Sequence, residues 1–341
     1  MDGRGYANKK MRKNIDKLLE SLPVYMTEYY NNMFRMEPTY CFSELTKLSC
    51  FLAYVNSNKK DVTIEDMSSN ALSFLNSKDY YESSSGETKE TKKSYLYGLY
   101  GTLNRFFEYC ESKKMISVNP LKDTKINLKI KYVRDPALTS EQIKELNKQV
   151  KEGAGSDRAK AVQKEWRERD VLIIALINAT GARRSAVCNL NIQNINLEEQ
   201  KIIIRDKNDS PNEYYISSIM PYLVDWLKKR DEIINHWKEK GVVLSEEDKD
   251  ALFVTKKRKR MTAQALYYVV EKYTKEAFNK GYSPHKLRAA FGTILYEQTK
   301  DINYVKEAMK HSSASTTGIY IRPNENSAKK TDKIMGEILF S

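Results

Sequence analysis

Between Pro120 and Pro136 the chain loses every apolar period: residues 121–137 read LKDTKINLKIKYVRDPA, a basic stretch with neither a 3.6-residue nor a two-residue repeat. A segment of this kind has no face to bury, so it reads as a linker between two cores. The length of 341 residues agrees, because a single hydrophobic core usually stops growing at roughly 250–300 residues.

Before the linker the apolar residues recur at helical spacing. Ile15, Leu18, Leu22 and Met26 form one stripe, divided by Pro23; Leu45, Leu48, Leu52 and Val55 form a second. Residues 71–75 predict a short helix, and Leu96, Leu99, Leu103, Phe106 and Cys110 a long one. Residues 12–120 are therefore expected to form a compact helical domain, preceded by a tail of residues 1–11.

After the linker, Thr139 and Gln142 make a capping box ahead of Ile143, Leu146 and Val150. Residues 151–161 read as a polar loop, and residues 170–178 as a nearly all-apolar helix stopped by Gly181. Residues 192–197, 202–205 and 213–217 predict a small antiparallel sheet of three strands. Helical stripes then return at Leu223, Trp226, Leu227, Ile233 and Trp237, at Leu266, Val269, Tyr273 and Ala277, and at Ile302, Val305 and Met309. This second domain is expected over residues 138–325, followed by an amphipathic tail, 326–341, carrying Ile334, Met335, Ile338 and Leu339. The fold class is mainly α.

Lysine and arginine outnumber aspartate and glutamate by 58 to 45, a net charge of +13. Such a balance fits a polyanionic partner, nucleic acid ahead of an anionic membrane surface, and also a merely solvated basic face. Cys41, Cys50, Cys110 and Cys188 form no CxxC or Cys/His cluster, so no metal site is expected and the thiols read as reduced, in a cytoplasmic protein. No run approaches 18 apolar residues, and the basic N-terminus lacks a signal core.

Chemistry-bearing residues gather in the second domain. Thr180-Gly181-Ala182-Arg183 is followed by His285-Lys286-Leu287-Arg288, then His311-Ser312-Ser313, then Tyr320, nine residues beyond that histidine. In-line cleavage of a phosphodiester needs a nucleophile, charge stabilisation on the non-bridging oxygens and a proton for the leaving oxygen. Arginine forks suit the oxygens, a role for Arg183 and Arg288. Tyr320 is the candidate nucleophile, with His285 as its base and His311 as a donor to the phosphate. Only three histidines exist and two sit in these motifs; His236 reads as a packed or rim residue.

In order and spacing, these motifs resemble the tyrosine recombinase (phage integrase) family, over residues 138–325, and the helical domain ending in Asn119-Pro120 resembles that family's core-binding domain. The resemblance implies a two-domain, C-shaped DNA clamp performing site-specific strand exchange through a 3′-phosphotyrosine, with no metal or nucleotide cofactor. It implies a catalytic lysine in the turn between the second and third strands, matched by Lys207, with Arg205 a neighbouring phosphate contact. It also implies duplex DNA with short inverted repeats as partner, a homo-tetramer on DNA formed from free monomers, and a C-terminal tail that packs on a neighbour. Further DNA contacts are expected at Lys131 and Arg134 in the linker, at Lys286, and at Lys256, Lys257, Arg258, Lys259 and Arg260, with Gln264 on the following helix as a base reader. Two residues depart from the pattern: Ala186 stands where an acid is usual, and Lys310 where glycine is usual. A type IB topoisomerase-like relaxation and a catalytically silent DNA-binding protein are the alternative readings.

Overall fold

The computed structural model describes residues 3–82, 87–124, 136–205 and 211–310. It divides into two compact units, Gly5–Arg134 and, with Met1–Arg4, Asp135–Ser341. The fold is mainly helical with one small three-stranded antiparallel sheet, as the apolar spacing predicts.

The first unit contains α1 (Gly3–Leu19), α2 (Val24–Asn32), α3 (Pro38–Val55), α4 (Ile64–Asn76), a hairpin of β1 (Tyr80–Glu82) and β2 (Thr88–Glu90), and α5 (Lys93–Ser112). Its core is aromatic and aliphatic, with Phe51, Phe74, Phe106 and Phe107 fully buried and Phe51 stacked on Phe74 at 4.6 Å. Three expectations need correction. Residues 3–11 are helix rather than tail, because half-buried Met11 extends the stripe of Ile15 and Leu18 backward. Helix α4 starts earlier than residue 71, since Thr63 and Asp66 form a reciprocal cap: the Asp66 amide donates to Thr63 Oγ1 at 3.1 Å and the Thr63 amide to Asp66 Oδ2 at 3.0 Å. The domain also runs past Pro120. Leu121 is fully buried in this core, and the Tyr100 hydroxyl is placed to donate to the Leu121 and Thr124 carbonyls.

The second unit begins with α6 (Ser140–Glu152), capped as expected, the Thr139 amide donating to Gln142 Oε1 at 3.0 Å. The expected loop of residues 151–161 is overlapped by α7 (Asp157–Gln163), whose N-cap Ser156 accepts from the Ala159 amide. Then come α8 (Arg167–Thr180), α9 (Arg184–Cys188), β3 (Ile195–Asn196), β4 (Lys201–Arg205), β5 (Pro211–Tyr215), α10 (Met220–Glu239), α11 (Glu246–Asp250), α12 (Ala263–Phe278), α13 (Pro284–Thr299) and α14 (Ile302–Ala308). Helix α8 is the hub. Residues 171–177 are all buried, and α6, α10, α12 and α13 pack against it. Each buried Ile or Leu contributes about 1.5–3 kcal/mol of transfer free energy, so the all-apolar run is explained by burial on every side. The sheet has the order β3-β4-β5, with Ile202 opposite Tyr214 and Ile204 opposite Asn212. Ile202 and Ile204 face the core, which fixes the register. No helix of the described residues is long and apolar enough to cross a membrane.

Candidate active site

The T-G-A-R motif is the turn that ends α8. Gly181 takes a left-handed conformation (φ 61°, ψ 17°), and its amide donates to the Ile177 carbonyl at 2.8 Å. A Cβ at this position would approach Phe291 Cε1 at 2.9 Å, so both backbone and space demand glycine. Thr180, fully buried, donates its hydroxyl to the Leu176 carbonyl at 2.7 Å and accepts from the Ala182 amide at 3.2 Å. This rigid turn delivers Arg183 as the N-cap residue of α9, half-buried, with Arg184 next in the chain.

His285 and Arg288 lie three residues apart on α13, hence on one face. Arg288 is only 3% exposed, and each terminal nitrogen holds a backbone carbonyl: Nη1 donates to Gly181 and Nη2 to Met309, the latter at 3.0 Å. One guanidinium thus ties the T-G-A-R turn to the end of α14. His285 is exposed at its edge. Desolvation by the surrounding protein, then Arg184, Arg288 and Arg183, push its pKa below the usual imidazole range. The lowered pKa favours the neutral ring, the form that can accept a proton.

Lys310, immediately before His311 in the chain, has φ 51°, the left-handed region. The physical reason for the family's usual glycine is visible here: a lysine in this conformation costs roughly 1 kcal/mol. Lys310→Gly is expected to raise stability by about 0.5–1 kcal/mol in urea unfolding; a loss of stability would contradict this account.

The basic run 256–260 divides in two. Lys256, Lys257, Arg258 and Lys259 form an exposed turn closed by the Thr255 amide on the Lys259 carbonyl at 3.0 Å. Arg260 is not a surface cation. It is 8% exposed and donates to the carbonyls of Cys188, Leu190 and Glu247 and to Asn191 Oδ1. Its expected role in binding DNA is replaced by that of a brace behind α9. Gln264 is exposed in the first turn of α12, with Tyr268, 59% exposed, one turn further on. Arg205 is exposed at the end of β4, and Lys286 is half-buried on α13. Lys131, Arg134, Lys207, His311 and Tyr320 lie outside the described residues.

Ala186 is 5% exposed and packed in the core, so α9 brings no carboxylate to the arginines. Arg184 escapes motif reading because T-G-x-R fixes only its neighbour; the doubled arginine was its one signal. A second unforeseen feature lies at the start of α8, where Asp170, 1% exposed, accepts from Arg169, Lys272 and Tyr273.

Arg183, Arg184 and Arg288 thus gather near the His285 imidazole on a helical scaffold beside a small sheet. The chain belongs to the phage integrase family, whose model matches residues 136–327, more than half of the chain. Among relatives, tyrosine recombinase XerC of Caldanaerobacter subterraneus subsp. tengcongensis is 30% identical over 238 residues, which cover 67% of this chain and 59% of that protein. The chain thus spans less than two thirds of that relative's length. The fold is similar to that of the XerH site-specific recombinase bound to palindromic difH substrate, with TM-score 0.59 and 21% identity over 86% of this chain and 78% of that one. It is also similar to residues 82–397 of the Tn1549 transposon integrase in complex with circular intermediate DNA, with TM-score 0.59 and 17% identity over 90% of this chain and 97% of that one.

Proposed function

We propose that this protein is a site-specific tyrosine recombinase acting on duplex DNA. The observation that carries the reading is the bracing by Arg288, which joins the Arg183 turn, the His285 helix and the segment leading to His311 in one centre. Family membership and the XerC relative support it. In this reading residues 138–325 are the catalytic domain and the helical unit before them grips DNA.

Tyr320 attacks the scissile phosphorus while neutral His285 takes the phenolic proton. Arg183, Arg288 and His311 stabilise the charge on the non-bridging oxygens, a term usually worth on the order of a hundredfold or more per donor. The bond to the 5′ oxygen breaks, and Lys207 protonates that oxygen. A 5′ hydroxyl of a partner strand then attacks the 3′-phosphotyrosine and releases Tyr320, which recovers its proton. The number of phosphodiester bonds is conserved, so the residues themselves supply what the exchange requires. Lys256, Lys257, Arg258, Lys259, Arg205 and Lys286 contact the DNA backbone, with Lys131 and Arg134 from the linker, and Gln264 reads a base. The working assembly is a tetramer on short inverted repeats, held by the 326–341 tail on a neighbour.

The test uses nicked duplexes of randomised sequence. A denaturation-resistant protein–DNA adduct is expected, mapping to Tyr320 and lost in Tyr320→Phe, with DNA binding by mobility shift retained. An adduct that survives the substitution refutes the assignment of the nucleophile. Exchange between two differently marked duplexes, enriched from the trapped pool, separates a recombinase from a topoisomerase-like enzyme, which relaxes supercoils without it.

A further inference from the structure

Arg184 opens α9, directly after the N-cap Arg183, and is half-buried. Among the described residues no carboxylate pairs with it. The position two residues further on, where the family usually carries an acid, is the buried Ala186. Helix α9 packs on α12, where Glu271 already accepts from the Tyr267 hydroxyl at 3.1 Å. Arg184 nevertheless lies close enough to α12 and α13 to act on Tyr267 and, together with Arg288 and Arg183, on His285.

A guanidinium that no carboxylate pairs with among the described residues, next in the chain to another of the same sign, carries a like-charge repulsion in the free protein. Solvated surface arginines carry no such cost, since water screens them. The arrangement becomes favourable when an anion with several acceptor oxygens enters, because charge-assisted hydrogen bonds from a planar fork are strong where water is excluded. A phosphodiester has that chemistry. We infer that Arg184 is a third phosphate-binding arginine of this site, taking a non-bridging oxygen of a DNA phosphodiester alongside Arg183. The inference rests on the recombinase reading for its ligand. It goes beyond that reading in naming a residue that the motif leaves unspecified, and in giving Ala186 a consequence: the site keeps positive charge that an acid would offset.

His285 is the reporter. The charges facing it are Arg288 from its own helix and Arg183 and Arg184 from the turn into α9, with Glu271 and Tyr267 of α12 beyond Arg184. The full chain, with its three histidines ¹⁵N-labelled, is titrated with inorganic phosphate at constant ionic strength and followed by two-bond ¹H–¹⁵N correlation spectra. Wild type should show a saturable shift of the His285 ring signals. Arg184→Ala should weaken phosphate binding on the order of tenfold, and Arg184→Lys less, because charge is kept and the fork lost. Without phosphate, Arg184→Ala should also raise the His285 pKa, an effect that a purely structural arginine does not predict. Thermal melting of both variants checks the fold, and Arg184→Gln replaces alanine if that variant melts early. Phosphate affinity equal to wild type in a folded Arg184→Ala protein overturns the proposal, as does the absence of any saturable shift in wild type. Because no DNA is cleaved, failure of the recombinase reading shows separately, as a wild-type protein that forms no adduct while Arg184-dependent phosphate binding persists.

Discussion

Arg288→Ala is expected to abolish detectable DNA cleavage and to lower the stability of the second unit by about 3 kcal/mol. The stability loss follows from burial. The side chain is 3% exposed, and its two terminal nitrogens satisfy the carbonyls of Gly181 and Met309. Alanine leaves both acceptors inside the protein without partners, at roughly 1–3 kcal/mol each, and opens a void beside them. Cleavage should fall further than stability alone explains. The Gly181 carbonyl belongs to the turn that aims Arg183, and Met309 precedes Lys310 and His311 in the chain, so one deletion releases both sides of the centre. Geometry within about 0.5 Å is what a preorganised site requires. Arg288→Lys separates the two effects. Its ammonium keeps the charge and can hold one carbonyl, so about half the stability should return, while adduct formation should stay at least a hundredfold below wild type. Urea unfolding and single-turnover trapping measure the two quantities. A lysine variant that cleaves normally would show that charge, and not the tie between the two segments, is what matters at this position.

Where local chemistry decides an element, the sequence reveals it. Thr139 and Gln142 announce α6, Gly181 ends α8, and alternating Ile202 and Ile204 place β4 against the core. The missed elements were decided by weaker local signals or distant partners. Thr63 caps α4 through an aspartate instead of the usual glutamate or glutamine, and α7 hides behind Gly153 and Gly155, both with positive φ. The hairpin of β1 and β2 has no apolar alternation; its three β2 residues are all exposed. Arg260 shows the limit most clearly. In a run of five cations nothing marks the last as different, yet the backbone pairing of Val254 with Arg260 turns it inward, toward carbonyls about 70 residues earlier in the chain. Arg288 has the same character. Its spacing from His285 suggests an oxygen clamp, whereas its burial and its two carbonyl partners come from α8 and α14 and appear only once the helices are packed.

The second large effect concerns Asp170, outside the cluster of Arg183, His285 and Arg288. Asp170→Ala is expected to destabilise the second unit by about 3–5 kcal/mol, the usual consequence of removing one partner from a buried ion pair. The carboxylate is 1% exposed and fully engaged. Oδ1 accepts from Arg169 Nε at 3.0 Å and Nη2 at 2.7 Å; Oδ2 accepts from Lys272 Nζ at 3.2 Å and the Tyr273 hydroxyl at 2.9 Å. Its place in the first turn of α8 adds a favourable interaction with the helix dipole. Arg169, 9% exposed, also donates to the Val254 carbonyl at 3.0 Å. The network therefore fastens the hub helix to α12 and to the strand-like segment that leads into the basic turn. Removing the acid leaves one buried guanidinium and one partly buried ammonium facing each other, and burial already lowers the Lys272 pKa despite the attraction of Asp170. For a unit of about 200 residues the predicted loss corresponds to a fall in Tm on the order of 10 °C. Asp170→Asn keeps the volume but offers a donor where two donors already converge, so it should cost nearly as much. If either variant melts within about 2 °C of wild type, the hub is held by its apolar contacts and the charged network contributes little.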